Sequence, residues 1–205
     1  GLVGEDGETH HGVFDTAFLD TIPGMKILCP SSFAELRDML DYAVHQVSGP
    51  VAIRYPRGGE GAFQENTGHV PACVVREGRD ITLVGYGTML NPLLECAGLL
   101  HQNGIEAEVV KLNMITPIEL KEIEASVRKT GRLLVAEEST KANCVGQRIA
   151  AGLLLNEVPV QRAALVNVGD GIVPHGAVGQ LRKLCGLDGE SLYHKALEVC
   201  GHGDG

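Results

Sequence analysis

The chain has 205 residues, enough for one ordinary domain or two small ones, and its 44% hydrophobic and 21% charged content is that of a globular protein. Lys and Arg number 17 against 26 Asp and Glu, giving a net charge of −9 and a pI near 5.3 with no compensating basic block, which argues against a nucleic-acid or anionic-membrane partner. No apolar run approaches the ~20 residues that span a bilayer, and the opening residues lack the charged-then-apolar form of a signal peptide. The six cysteines (Cys29, Cys73, Cys96, Cys144, Cys185, Cys200) lie far apart, without a C-x-x-C pair or a Cys/His cluster. That pattern predicts buried thiols in a reducing cytoplasm, and neither a disulfide framework nor a metal site.

Gly1-Leu2-Val3 reads as the end of a strand, and a start on Gly suggests a segment cut from something longer. A polar, Gly-punctuated loop, Asp6–Asp15, leads to a helix carrying Phe14, Phe18 and Leu19. Lys26–Cys29 is a predicted strand, and Ser32-x-x-Glu35 is a capping box that opens the next helix. Phe33, Leu36, Leu40, Ala43, Val44 and Val47 recur at helical spacing and predict one apolar face. Gly49-Pro50 stops that helix, and Val51–Tyr55 follows as a strand. Strand, helix, strand with short connections implies parallel pairing.

Residues 58–80 are loop-rich, with a strand at Ala72–Val75, and form the candidate linker. Beyond it strands at Ile81–Val84, Ala107–Lys111, Arg132–Ala136 and Ala163–Val168 alternate with helices at Pro92–Asn103 and Val145–Leu155. Thr116-Pro117-Ile118-Glu119 reads as a second capping box with Pro at the first helical position, opening a helix that Gly131 ends. Helices at Val178–Cys185 and Ser191–Val199 follow, and Gly201–Gly205 reads as a frayed terminus. The pattern predicts a three-layer α/β/α domain. The first segment, with two clear strands and one full helix, is too small to cover both faces of such a sheet, so the rest of its domain is expected elsewhere.

Two stretches carry candidate chemistry. In Asp6–Asp15, His10, His11 and Asp6 could form a proton shuttle near neutral pH, in the loop position where open parallel sheets bind ligands. The alternative is a loop held by His–backbone hydrogen bonds, and adjacent histidines fit no standard metal-ligand spacing. In Ile53–Gly58, Pro56 keeps Tyr55 extended, so that Arg57 projects at the strand's carboxyl end. Its planar fork suits phosphate oxygens, although pairing with a surface acid would serve equally. Gly85-Tyr86-Gly87 lacks the third glycine of a dinucleotide fingerprint, because position 90 is Leu. Glu137-Glu138 reads as a solvated loop pair, with a subunit contact or a helix-terminus partner as alternatives.

The strings GEDGETHHGVFD, IPGMKILCPSS, GPVAIRYPRG, VGYGTM and VAEEST together resemble the 1-deoxy-D-xylulose-5-phosphate synthase family of transketolase-like thiamine-diphosphate enzymes. The resemblance implies that residues 1–75 are the latter half of a pyrimidine-binding domain. Residues 76–205 would be a transketolase C-terminal domain with a mostly parallel sheet of about five strands. It implies a cytoplasmic homodimer that condenses pyruvate with D-glyceraldehyde 3-phosphate, losing carbon dioxide, for isoprenoid and thiamine precursors. His10 then matches the family's active-site histidine, Asp6 a carboxylate that orients substrate, and Arg57 an arginine for the substrate phosphate. His11 is a neighbour at a variable position, and Arg54 is structural because strand alternation turns it away from Tyr55. Thiamine diphosphate and magnesium are implied for the full-length enzyme. Neither is expected on this segment, which lacks the G-D-G…N motif, the activating glutamate and a second phosphate-binding arginine. Gly169-Asp170-Gly171 imitates the first part of that motif but no Asn follows, so it reads as a turn. The chain alone is expected to be inactive. The alternatives are a stand-alone subunit of a split transketolase and a non-catalytic dimerisation module.

Overall fold

The computed structural model describes residues 1–202. In chain order the first unit contains α1 (Asp15–Leu19), β1 (Lys26–Leu28), α2 (Phe33–His45) and β2 (Val51–Ile53). After a long loop come β3 (Ala72–Arg76), β4 (Ile81–Tyr86), α3 (Leu90–Gln102), β5 (Ala107–Leu112), β6 (Met114–Thr116) and α4 (Lys121–Thr130). The chain continues through β7 (Arg132–Ala136), α5 (Val145–Leu155), β8 (Arg162–Val166), α6 (Val178–Leu184) and α7 (Gly189–Cys200). None of the described helices is long and apolar enough to cross a membrane.

The larger sheet has the order β3-β5-β4-β7-β8 and is parallel except for its edge strand β3. Successive strand residues point to opposite faces, and both faces are covered. Leu83, Val109 and Leu134 meet Leu93 and Ala97 of α3 and Leu192 and Ala196 of α7. Their neighbours Val84, Val110 and Val135 meet Ile123 and Val127 of α4 and Ile149 and Leu153 of α5. This is the predicted three-layer α/β/α arrangement. Each fully buried aliphatic side chain contributes about 1.5–3 kcal/mol.

Four local expectations change. Gly1–Val3 forms no strand. Thr116 does not open a helix: Met114–Thr116 is β6, which pairs antiparallel with β1, and the Thr116 hydroxyl donates to Asp20 Oδ1 (2.8 Å). With its hydroxyl engaged in the first unit, Thr116 caps nothing, and α4 starts at Lys121 without a side-chain cap. The apolar stripe of α2 is real but faces outward, with Phe33, Leu40 and Val44 56%, 48% and 72% exposed, while Glu35 and Met39 are buried. Finally, the strand at 72–76 pairs with β5 in the larger sheet, so a division at 75/76 falls inside it.

The units therefore interlock. The small sheet has the order β2-β1-β6, its third strand borrowed from the second unit, and Ile27 and Cys29 join the core under α4 and α5. Beneath α2 lies a buried charge pair, Glu35 of the first unit with Lys111 of β5 (3.0 Å), both side chains 0% exposed. The Ser32 hydroxyl accepts from Glu35 N–H as in a capping box, but the Glu35 carboxylate reaches back to Ser31 N–H (2.7 Å) instead of Ser32. Its other oxygen accepts from Thr67 Oγ1 (2.6 Å), and the Lys111 ammonium also donates to Asn113 Oδ1. Burial pushes Lys111 down from its ordinary range, opposed by the Glu35 carboxylate. All six cysteines are unpaired and buried or half-buried, and burial raises Cys29 and Cys96 to about 12, which leaves both thiols unreactive.

Removing one partner of a buried pair strands the other charge, at about 3–5 kcal/mol. Lys111→Met should lower unfolding free energy by that amount in urea titration, and adding Glu35→Gln should restore at least half. A double variant no more stable than Lys111→Met would show that the pair does not tie the two units together.

Candidate substrate site

Residues 4–14 run as two 3-10 turns, Gly4–Asp6 and Glu8–His10, hinged at Gly7. The loop lies flat on the second unit because Leu2 and Val13 bury against Val173 and Leu181. Gly4 permits this approach: its φ is +62°, and a Cβ there would stand 2.8 Å from the Gly176 carbonyl oxygen.

Arg54 fixes the loop from below. Nε donates to Asp15 Oδ2 (2.8 Å), and Nη2 donates to the carbonyls of Gly12 (2.9 Å) and Glu138 (2.7 Å). The guanidinium lies 5.6 Å from the ring centroid of Tyr86. The structural role read from strand alternation is what the geometry shows.

The solvated-pair reading of Glu137-Glu138 is overturned, since the residues are 1% and 4% exposed. Glu137 sits at the N-terminus of α5, accepting from the N–H groups of Val145 (3.0 Å) and Gly146 (2.8 Å), and from Tyr86 Oη–H (2.8 Å). The helix-terminus alternative is therefore the correct one for Glu137. Glu138 accepts from Leu2 N–H (3.0 Å) and from Arg182 Nε (2.7 Å), whose Nη2 also donates to Thr88 Oγ1 (2.9 Å). Burial alone would raise the Glu138 carboxyl, but Arg182 and Arg54 outweigh it and hold the group below its ordinary 4.5. One signal was available: Gly146 opens α5 where a Cβ would stand 3.2 Å from Glu137 Oε1, so the carboxylate and the small residue go together.

On this base the structure pairs two of the three candidate residues. Arg57, past the carboxyl end of β2, forms an ion pair with Asp6 of the loop. The Arg57 side chain is 61% exposed, so the pair is open to a competing anion. His10 is exposed on the same loop as Asp6, and its one side-chain hydrogen bond among the described residues joins Nδ1 to Thr9 Oγ1 (3.0 Å). Its neighbour His11 is the residue held by backbone: it is buried and bonded at both ring nitrogens. A pocket of about 230 Å³ lies next to Arg57, walled by Pro30, Ser32, Phe33, Tyr55, Pro56 and Glu60. A larger groove of about 820 Å³, between the linker and α3, α6 and α7, is lined by none of His10, Asp6 or Arg57. Among the described residues no group of three or more His, Cys, Asp or Glu is placed to hold a metal ion. Gly169–Gly171 is a loop, with Asp170 paired to Lys141 (3.3 Å).

The family described as transketolase, C-terminal domain, matches residues 71–192, and that described as transketolase, pyrimidine binding domain, matches residues 1–59. The 1-deoxy-D-xylulose-5-phosphate synthase of Chlorobaculum tepidum is 36% identical over 203 residues, covering 97% of this chain and 32% of that protein. That of Desulforudis audaxviator is 39% identical over 192 residues, covering 91% and 30%. The chain therefore spans about a third of the length of the curated relatives it matches. A solved split-gene transketolase, described as an inactive beta4 tetramer, matches with TM-score 0.84 at 28% identity over 96% of this chain and 64% of that one. A transketolase mutant from Pichia stipitis matches with TM-score 0.73 at 15% identity over 97% and 28%, a likeness of fold alone.

Because Glu138 is held below 4.5, its carboxylate stabilises the fold fully above that pH and progressively less as pH falls through the folded-state value. Glu138→Gln should cost roughly 3–5 kcal/mol at pH 7. In denaturation series from pH 7 to 3, the gap to the parent protein should hold above pH ~5 and narrow below it. A gap constant down to pH 3 would contradict the assignment.

Proposed function

This chain belongs to the transketolase family, and on that premise we propose that it forms the C-terminal third of a 1-deoxy-D-xylulose-5-phosphate synthase. Such an enzyme condenses pyruvate with D-glyceraldehyde 3-phosphate, with loss of carbon dioxide. The observation that carries the proposal is the pairing of Arg57 with Asp6 at the carboxyl end of the small sheet, on the loop that presents His10. In outline, the residues before β3 belong to the pyrimidine-binding domain and the rest to the C-terminal domain, so the expected boundary at 75/76 moves to the start of that strand, which pairs in the larger sheet.

Each residue has a defined task in this reading. Arg57, permanently charged and forked, receives the phosphate of the aldehyde substrate. Asp6 keeps the guanidinium oriented before the phosphate arrives and yields part of it when the stronger anion binds. His10, with Nδ1 turned to Thr9, leaves Nε2 to exchange a proton with bound substrate. Thiamine diphosphate and magnesium would be held by residues outside this chain. The chain by itself would then be inactive. The outward apolar stripe of α2, with Phe14, Phe18 and Tyr55 also exposed, supports burial against the rest of a cytoplasmic homodimer.

A second reading is favoured by one observation, the likeness to a split-gene transketolase at TM-score 0.84. There the chain is a separately encoded subunit that joins an N-terminal polypeptide. An in-frame coding region upstream carrying G-D-G…N favours the first reading, and a stop followed by a new start favours the second.

Losing a charge-assisted phosphate contact costs about 1.5–3 kcal/mol, or roughly 10- to 150-fold. Arg57→Ala in the full-length enzyme should raise KM for glyceraldehyde 3-phosphate by that factor and leave KM for pyruvate within about twofold. Equal effects on both substrates would remove Arg57 from phosphate binding.

A further inference from the structure

His11 differs from His10 in every physical respect. It is 8% exposed, and its two ring nitrogens are engaged, one within its own segment and one across to the second unit. Val3 N–H donates to Nδ1 (3.3 Å), so Nδ1 must carry a lone pair and the ring proton must sit on Nε2. Nε2–H accordingly meets the carbonyl oxygen of Pro174 (3.2 Å), in the segment that leads to α6. Around this bridge Leu2 and Val13 pack on Val173 and Leu181, and Gly4 lies against Gly176. The imidazole is the polar centre of the contact that seats the loop bearing Asp6 and His10 on the second unit.

We propose that His11 is a positioning residue whose Nε2–H tautomer latches the substrate-site loop to the 173–176 segment. The chemistry is that of donor and acceptor count. The neutral ring offers one acceptor and one donor, matching Val3 N–H and Pro174 O. Among the described residues no charged side chain hydrogen-bonds the ring. The latch rests on the substrate-site reading for its consequence, since release would withdraw Asp6 and His10 together. It does not rest on that reading for its existence.

Glutamine can replace the imidazole in both bonds, because its carbonyl can accept from Val3 and its amide can donate to Pro174. Amide hydrogen exchange of residues 3–14 would be read at pH 7.5 in the parent protein, His11→Gln and His11→Ala. The expected result is His11→Gln protection within about twofold of the parent and His11→Ala protection at least about fivefold lower. A His11→Gln protein as unprotected as His11→Ala would assign the seating of the loop to another feature and overturn the proposal. So would a His11→Ala protein as protected as the parent. Absence of synthase activity with this exchange pattern intact would count against the functional reading alone.

Discussion

Arg54 leaves β2 on the side away from Tyr55 and is buried between two units that share little backbone there. Its three donated bonds end on a carboxylate of α1, a carbonyl of the substrate-site loop and a carbonyl at the end of β7, and its plane lies over a buried tyrosine. A guanidinium can do this because its donors radiate in a fixed fork, whereas a single ammonium has no planar equivalent. The arrangement is also committed: among the described residues Asp15 Oδ1 is buried without a hydrogen-bond partner, and Arg54 is the cation that bonds the other oxygen. The loop that carries Asp6 and His10 is short of regular structure, and its position is set by this side chain and by the carboxylate of Glu138 that faces the same junction.

A set of polar ties follows the same logic along the seam. Glu35 meets Lys111 at one end, the Thr116 hydroxyl and Arg148 meet Asp20 at the other, and Glu138 meets Arg182 between them. The first two join the first unit to the second directly, and the third, within the second unit, holds the carboxylate that accepts from Leu2 N–H. Buried ionic contacts are poor sources of net stability but costly to mismatch, so they select one register between two packed bodies. Here the register decides how far Arg57, on the first unit's strand, stands from whatever the second unit and the rest of the enzyme present. The apolar cores hold each unit together; the charges decide how the units meet.

Much of the fold was legible because its signals are local. Strands such as Arg132–Ala136 and the helix Val145–Leu155 are short apolar runs or periodic stretches bounded by Gly or polar residues, and they appear with the expected bounds. The loop motif around His10 and the arginine after Tyr55 were legible as candidate chemistry for the same reason. What sequence could not reveal was what each surface faces. The periodicity of α2 located its apolar stripe correctly but not its direction, and the buried side proved to hold Glu35 and Met39. Thr116 has the form of a cap, yet its hydroxyl is claimed by Asp20, far away in sequence. Glu137 and Glu138 have the composition of a solvated pair; only the packing of α5 and α6 against the strand end removes them from water. His10 and His11 are adjacent and chemically identical, and the backbone of Val3 and of the 173–176 segment distinguishes them.

If Arg54 sets the place of the substrate-site loop, weakening its fork should free that loop while the larger sheet stays folded. The most direct measurement is native-state cleavage by a glutamate-specific protease at Glu5 and Glu8 in Arg54→Lys, run alongside thermal unfolding. Cleavage at these two positions should accelerate at least tenfold, with the melting transition of the second unit displaced by no more than a few degrees. Cleavage at the parent rate, or acceleration only in step with global unfolding, would contradict the role assigned to Arg54.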